Sequence, residues 1–100
     1  MGQVYTHGTW HAKPCREDEF VAAWRELADW TLTVFPDARG TLLRDRDDPT
    51  RFASFGPWDG VETVARWRAH PEFQRRVERM QELLETFKPQ LMEEVAAAGR

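Results

Sequence analysis

Two kinds of periodicity and one tight turn predict an α+β fold, ordered β-α-β-β-α-β. It is a four-stranded antiparallel sheet with its helices on one face. The chain opens with period-2 alternation, two later segments carry apolar stripes at helical spacing, and Asp47-Asp48-Pro49-Thr50 joins two strand-like runs between them. This is the ferredoxin-like split arrangement.

In residues 4–12, Val4, Thr6, Gly8 and Trp10 fall on one side and Tyr5, His7, Thr9 and His11 on the other. Lys13-Pro14 ends that strand, because proline has no N–H to give a ladder. A helix is predicted from Arg16 to about Phe35. Its first turn is crowded with Glu17, Asp18 and Glu19, where the helix dipole favours negative charge. Phe20, Trp24, Leu27, Thr31 and Val34 then form one stripe marked for burial.

Residues 41–46 and 51–58 are the hairpin strands, joined by aspartates that bond nearby amides and a proline that presets φ. Phe52, Ser54, Gly56 and Trp58 share one face, and Ala53, Phe55 and Pro57 the other. A short helix spans 60–69. Pro71 starts a second, whose stripe Phe73, Val77, Met80, Leu84 and Phe87 predicts a helix continuing to Pro89. Residues 90–97 are read as the closing edge strand, although their Ala and Glu content also suits a helix.

With helices on one sheet face, the face bearing Tyr5, His7, Phe55 and Pro57 is too apolar to stay wet over its full area. Pairing with a second copy through that face is therefore expected. At 100 residues the chain is expected to be a single domain over 1–100. No apolar run nears the roughly 20 residues that cross a bilayer, and the N-terminus lacks a basic-then-apolar leader, so a cytoplasmic protein with no membrane partner is expected. The net charge of −3, with both signs interleaved, argues against nucleic acid as a partner. The single Cys15 excludes an internal disulfide and a cysteine metal cluster. His7 and His11 lie roughly 13 Å apart in a strand, too far for one ion; no metal site is expected.

Val4 to Pro14 with the acidic helix start, then Asp47-Asp48-Pro49-Thr50-Arg51-Phe52 and Trp58, resemble the antibiotic biosynthesis monooxygenase family over nearly the whole chain. The resemblance implies a dimeric α/β barrel, with a ligand cleft in each subunit between sheet and helices. It also implies a small cofactor-independent monooxygenase-like protein acting on a planar, polyketide-like aromatic. Some members oxygenate anthrones to quinones without metal or flavin. The alternative is a non-catalytic dimeric binding or accessory domain on the same scaffold.

Departures from the family pattern sharpen the expectation. Quinone-forming members carry Asn four residues before the strand-end Trp, where this chain has Ser54. Heme-degrading members carry an Asn at the position of Gly8 and a His near Trp67 and Arg68, so heme degradation is not expected. The usual Gly before the first helix is Cys15.

The candidate catalytic residues are Ser54, to orient a substrate oxygen, Trp58, to stack on a planar ring, and His70, as a base near neutral pH. The candidate substrate-binding residues are Thr6, Trp10, Phe52, Trp67 and Arg76. Arg76 borders the buried stripe more closely than Arg75 or Arg79 and could stabilise a delocalised oxyanion.

Overall fold

The structure, a computed structural model, describes residues 2–99. Its elements are β1 (Val4–Ala12), α1 (Glu17–Val34), β2 (Thr41–Arg44), β3 (Arg51–Trp58), α2 (Val61–Ala69), α3 (Pro71–Gln81) and β4 (Leu84–Glu93). The four strands form one sheet in the order β2-β3-β1-β4, with every neighbouring pair antiparallel.

β1 sits between β3 and β4, and its alternation survives as two distinct faces. Gly8, Trp10 and Ala12 turn toward the helices and are buried. Trp10 stands opposite Phe52 on β3 and Phe87 on β4. Together with Phe20 and Leu27 of α1, Met80 of α3 and Leu84 of β4, these residues form the core. Phe20 and Met80 are wholly enclosed, and burying side chains of that size contributes about 1.5–3 kcal/mol each.

α1 begins with Arg16 at its N-cap and the predicted acidic turn. Arg16 pairs with Glu19 at 2.7 Å. Of its stripe, Phe20, Leu27 and Thr31 are buried, whereas Val34 is 43% exposed at the helix end. Cys15, just before the helix, has φ 68°, a left-handed conformation that suits glycine and strains a residue with a Cβ.

The hairpin is held by its aspartates. Asp45 Oδ1 accepts the backbone N–H groups of Asp47 (2.7 Å) and Asp48 (3.1 Å). Asp48 Oδ1 accepts the Thr50 hydroxyl at 2.6 Å and the Thr50 N–H at 3.1 Å, and its other oxygen pairs with Arg51. These bonds, those of Thr50 foremost, hold the Asp48 carboxyl below its ordinary pKa. At Gly56 a Cβ would collide with the carbonyl oxygen of Arg39, so the incoming loop packs directly on the β3 backbone.

The final third departs from the sequence reading. α3 stops at Gln81, where the N–H of Leu83 bonds the carbonyl of Met80 at 2.9 Å. Leu84 and Phe87 are therefore not helical. They pair with Ala12 and Trp10 as part of β4, across an irregularity between His11 and Ala12. The strand ends at Glu93, so the predicted strand over 90–97 holds only in its first part, and residues 94–99 have no regular structure. Pro89 lies inside β4, opposite Gly8. It is tolerated because β4 is an edge strand, with one side free of ladder bonds. No helix among the described residues is long and apolar enough to cross a membrane.

Candidate functional site

The helix-facing side of the sheet does not meet the helices everywhere. Between them lies an open cleft with about 170 Å³ of internal space. Its floor is sheet: Thr6, Gly8 and Trp10 of β1, Ser54 and Trp58 of β3, Phe87 and Pro89 of β4. Its roof combines Trp24, Leu27, Ala28, Thr31 and Leu32 of α1, Trp67 and Arg68 of α2, and Phe73 and Val77 of α3. Four of the five tryptophans (Trp10, Trp24, Trp58 and Trp67) line this one space.

Three of those indoles donate their N–H to a hydroxyl. Trp10 bonds Ser54 Oγ at 2.9 Å, Trp58 bonds Thr6 Oγ1 at 3.1 Å, and Trp67 bonds Thr31 Oγ1 at 3.0 Å. The Thr31 hydroxyl passes its own hydrogen to the Leu27 carbonyl at 2.8 Å, so that chain is closed within α1. The hydrogens of Ser54 and Thr6 have no acceptor among the described residues. The indoles therefore present ring faces, and the hydroxyls present the O–H donors.

Ring packing fixes these faces. Trp10 stacks on Phe87, with centroids 3.9 Å apart and planes 11° apart. Trp58 meets Trp67 at 4.8 Å, and Trp67 meets Phe73 at 4.5 Å. Gly8 makes the floor possible. A Cβ there would stand 3.1 Å from Trp10 Nε1, 3.2 Å from Ser54 Oγ and 3.3 Å from Phe87.

Thr6, Trp10, Ser54, Trp58 and Trp67 thus come together around one cavity. Three other predicted site residues lie outside its wall. Phe52 lies beside Trp10 on the helix-facing side of the sheet but in the closed core, 4.9 Å from Phe20. His70 caps α3: its Nδ1 accepts the Glu72 N–H at 3.1 Å, and its ring packs edge-on against Trp30. Arg76 is 2.7 Å from Glu72, which also holds Arg75 at 2.6 Å.

The sequence reading did not assign Arg68 to the site. Arg68 lines the cleft, and its one side-chain hydrogen bond runs to the Gln90 carbonyl at 3.3 Å. Burial lowers its pKa from the ordinary value, but a guanidinium remains charged at neutral pH.

An antiparallel sheet with its helices on one face and an aromatic cleft between the two layers defines an α+β domain. The antibiotic biosynthesis monooxygenase family model matches residues 3–79, and the chain belongs to that family. Among solved structures it is similar to SnoaB, a cofactor-independent oxygenase from Streptomyces nogalater, in a mutant form. The TM-score is 0.87 and the identity 20%, with both chains covered in full (100%). An antibiotic biosynthesis monooxygenase structure matches at TM-score 0.79 and 22% identity, over 93% of this chain and 99% of the other. A protein of Shewanella oneidensis matches at 0.79 and 20%, over 93% and 91%. At such identities the likeness establishes the fold. No curated protein matches the chain in sequence.

Proposed function

We propose that the protein is a small oxygenase that needs no cofactor and acts on a planar, polyketide-like aromatic held in the cleft. The observation that carries this reading is the hydrogen-bond polarity of the wall. With the N–H groups of Trp10, Trp58 and Trp67 already engaged, the slot offers π surfaces and the two sheet hydroxyls of Ser54 and Thr6. That suits a flat ring system with oxygen on one edge.

The chemistry balances for an anthrone. Its CH₂ loses one proton to give an enolate, and the enolate passes one electron to dioxygen. The two radicals join in a C–O bond, the resulting peroxide anion takes up a proton from solvent, and loss of water leaves the quinone carbonyl. No Asp or Glu lines the cleft, so the wall favours the enolate by hydrogen bonding to its oxygen, while the proton leaves through the open mouth to solvent. Ser54 donates to that oxygen, Trp58 and Trp10 hold the ring, and the apolar roof keeps water from the radical pair. His70 stabilises the start of α3 rather than serving as base.

The protein works as a single cytoplasmic domain and as a homodimer through the far face of the sheet. Leu43, Phe55 and Met92 are exposed there, and His7 Nδ1 is buried with no hydrogen-bond partner among the described residues. The same lack of a carboxylate favours a second reading, a dimeric binding or accessory domain that holds the aromatic without turnover.

Oxygen uptake with anthrone separates the two. The oxygenase consumes one dioxygen per anthraquinone formed, and Ser54→Ala and Trp58→Phe slow it by about tenfold or more. Saturable binding of anthrone with no oxygen uptake establishes the binding-domain reading instead.

A further inference from the structure

Four ion pairs occur among the described residues, joining Arg16 to Glu19, Arg51 to Asp48, and Arg75 and Arg76 to Glu72. Arg68 is in none of them. It is half-buried in the wall of an apolar cavity, and among the described residues no carboxylate lies within ion-pair distance of it. A guanidinium has five N–H donors, and one long bond to the Gln90 carbonyl engages only one. That bond also fixes its place, at the β4 edge of the cleft, while Gln74 Nε2 donates to its backbone carbonyl at 3.3 Å. The desolvation that lowers its pKa meets no compensating charge among the described residues.

The charge pattern of the cleft points the same way. Its charged wall residues are Arg39 and Arg68, both positive, in a chain whose net charge is −3. A positive, low-dielectric cleft in a negative protein concentrates anions. Hydrophobic lining alone would not call for a half-buried cation with free donors.

We propose that Arg68 anchors an anionic group of the bound ligand, so that the cleft selects a planar aromatic carrying a carboxylate over its neutral counterpart. The planar fork of the guanidinium matches a carboxylate in two parallel hydrogen bonds. The ring would then lie between Trp58 and Trp10 with its acid directed to the β4 edge. This rests on the reading above that the cleft holds a planar aromatic.

The test uses the full chain, with anthraquinone-2-carboxylate and anthraquinone-2-carboxamide titrated at neutral pH and followed by tryptophan fluorescence. The carboxylate is expected to bind roughly tenfold tighter than the carboxamide. Arg68→Gln should erase that difference while leaving the carboxamide Kd within about twofold, and Arg68→Lys should keep part of it. An unchanged carboxamide Kd also shows that Arg68→Gln is folded. Equal affinity for the two ligands in the unmutated protein, with both weakened by Trp58→Ala, overturns the anchor and leaves the aromatic cleft standing. A preference that persists in Arg68→Gln also overturns the anchor. Failure of both ligands to bind, or binding untouched by Trp58→Ala, overturns the cleft reading and the anchor with it.

Discussion

The indole N–H of Trp10 and the Oγ of Ser54 meet at 2.9 Å across the paired strands β1 and β3. That bond fixes what the serine can do. Its oxygen already accepts from the indole, and its own hydrogen, with no acceptor among the described residues, can be donated toward the cleft. A residue that looks like an isolated strand serine is therefore the link between a core indole and the ligand space.

Ser54→Ala leaves a buried indole N–H without its acceptor, and the expected loss is about 1–2 kcal/mol of folding stability. Trp10→Phe in the Ser54→Ala background removes the orphaned donor, so the second substitution should be milder there than in the unmutated protein. A double-mutant cycle by urea denaturation measures the coupling. Additive losses would show that the bond contributes nothing to stability.

Gly8→Ala sets two effects against each other. Replacing glycine in a strand interior is worth roughly 0.5–1 kcal/mol in backbone entropy. The new methyl, however, sits 3.1–3.3 Å from Trp10, Ser54 and Phe87, closer than those rings and the hydroxyl tolerate unmoved. Since Trp10 and Phe87 are stacked and cannot both yield freely, the steric effect wins. Stability should fall by about 0.5–1.5 kcal/mol, and affinity for a planar ligand should fall with it. Unchanged ligand affinity would show that the floor can shift.

Cys15 adopts φ 68° immediately before α1, and a residue with a Cβ is strained there by roughly 1 kcal/mol. Cys15→Gly relieves that strain but gives back part of it as freedom in the unfolded chain. The net expectation is a gain of up to about 1 kcal/mol, read as a raised Tm. The thiol is exposed and takes part in no disulfide, so a lowered Tm would point to packing by this side chain that the structure does not show.

Acid should weaken the fold through Glu72 and Asp48. Arg75, then Arg76, holds the Glu72 carboxyl below its ordinary pKa, and Thr50 does the same for Asp48. A folded-state pKa below the unfolded one means this stability is present above the unfolded value, near pH 4, and is lost as pH falls through the folded value. Denaturation midpoints should decline below about pH 4. Glu72→Gln and Asp48→Asn should each be less stable at pH 7 and show a shallower decline. The unmutated slope persisting in both variants would assign the acid sensitivity to other carboxylates.

Much of this was legible in the sequence, because one-residue alternation is unambiguous when both faces are distinctive. Thr6, Trp10, Ser54 and Trp58 were placed on one sheet face by parity alone, and the sheet register keeps them there. The last strand was not legible. Met80, Leu84 and Phe87 continue a helical spacing, yet the helix ends at Gln81 and the same spacing is reused by an edge strand that needs Leu84 beside Ala12 and Phe87 beside Trp10. Arg76 illustrates a signal that was present: Glu72 four residues earlier already offered it an ion pair. Arg68 left no such signal, since the carbonyl it meets belongs to Gln90 on a distant strand. His70 sits at a helix start, but a ring nitrogen accepting the Glu72 amide is seldom announced by residue type.

The stack of Trp10 on Phe87 joins the first strand of the chain to the last. The chamber is therefore finished only when the carboxyl-terminal strand docks. Once formed, an occupied chamber should guard the closing strand against fraying, with slower amide exchange along Leu84–Glu93 as its signature.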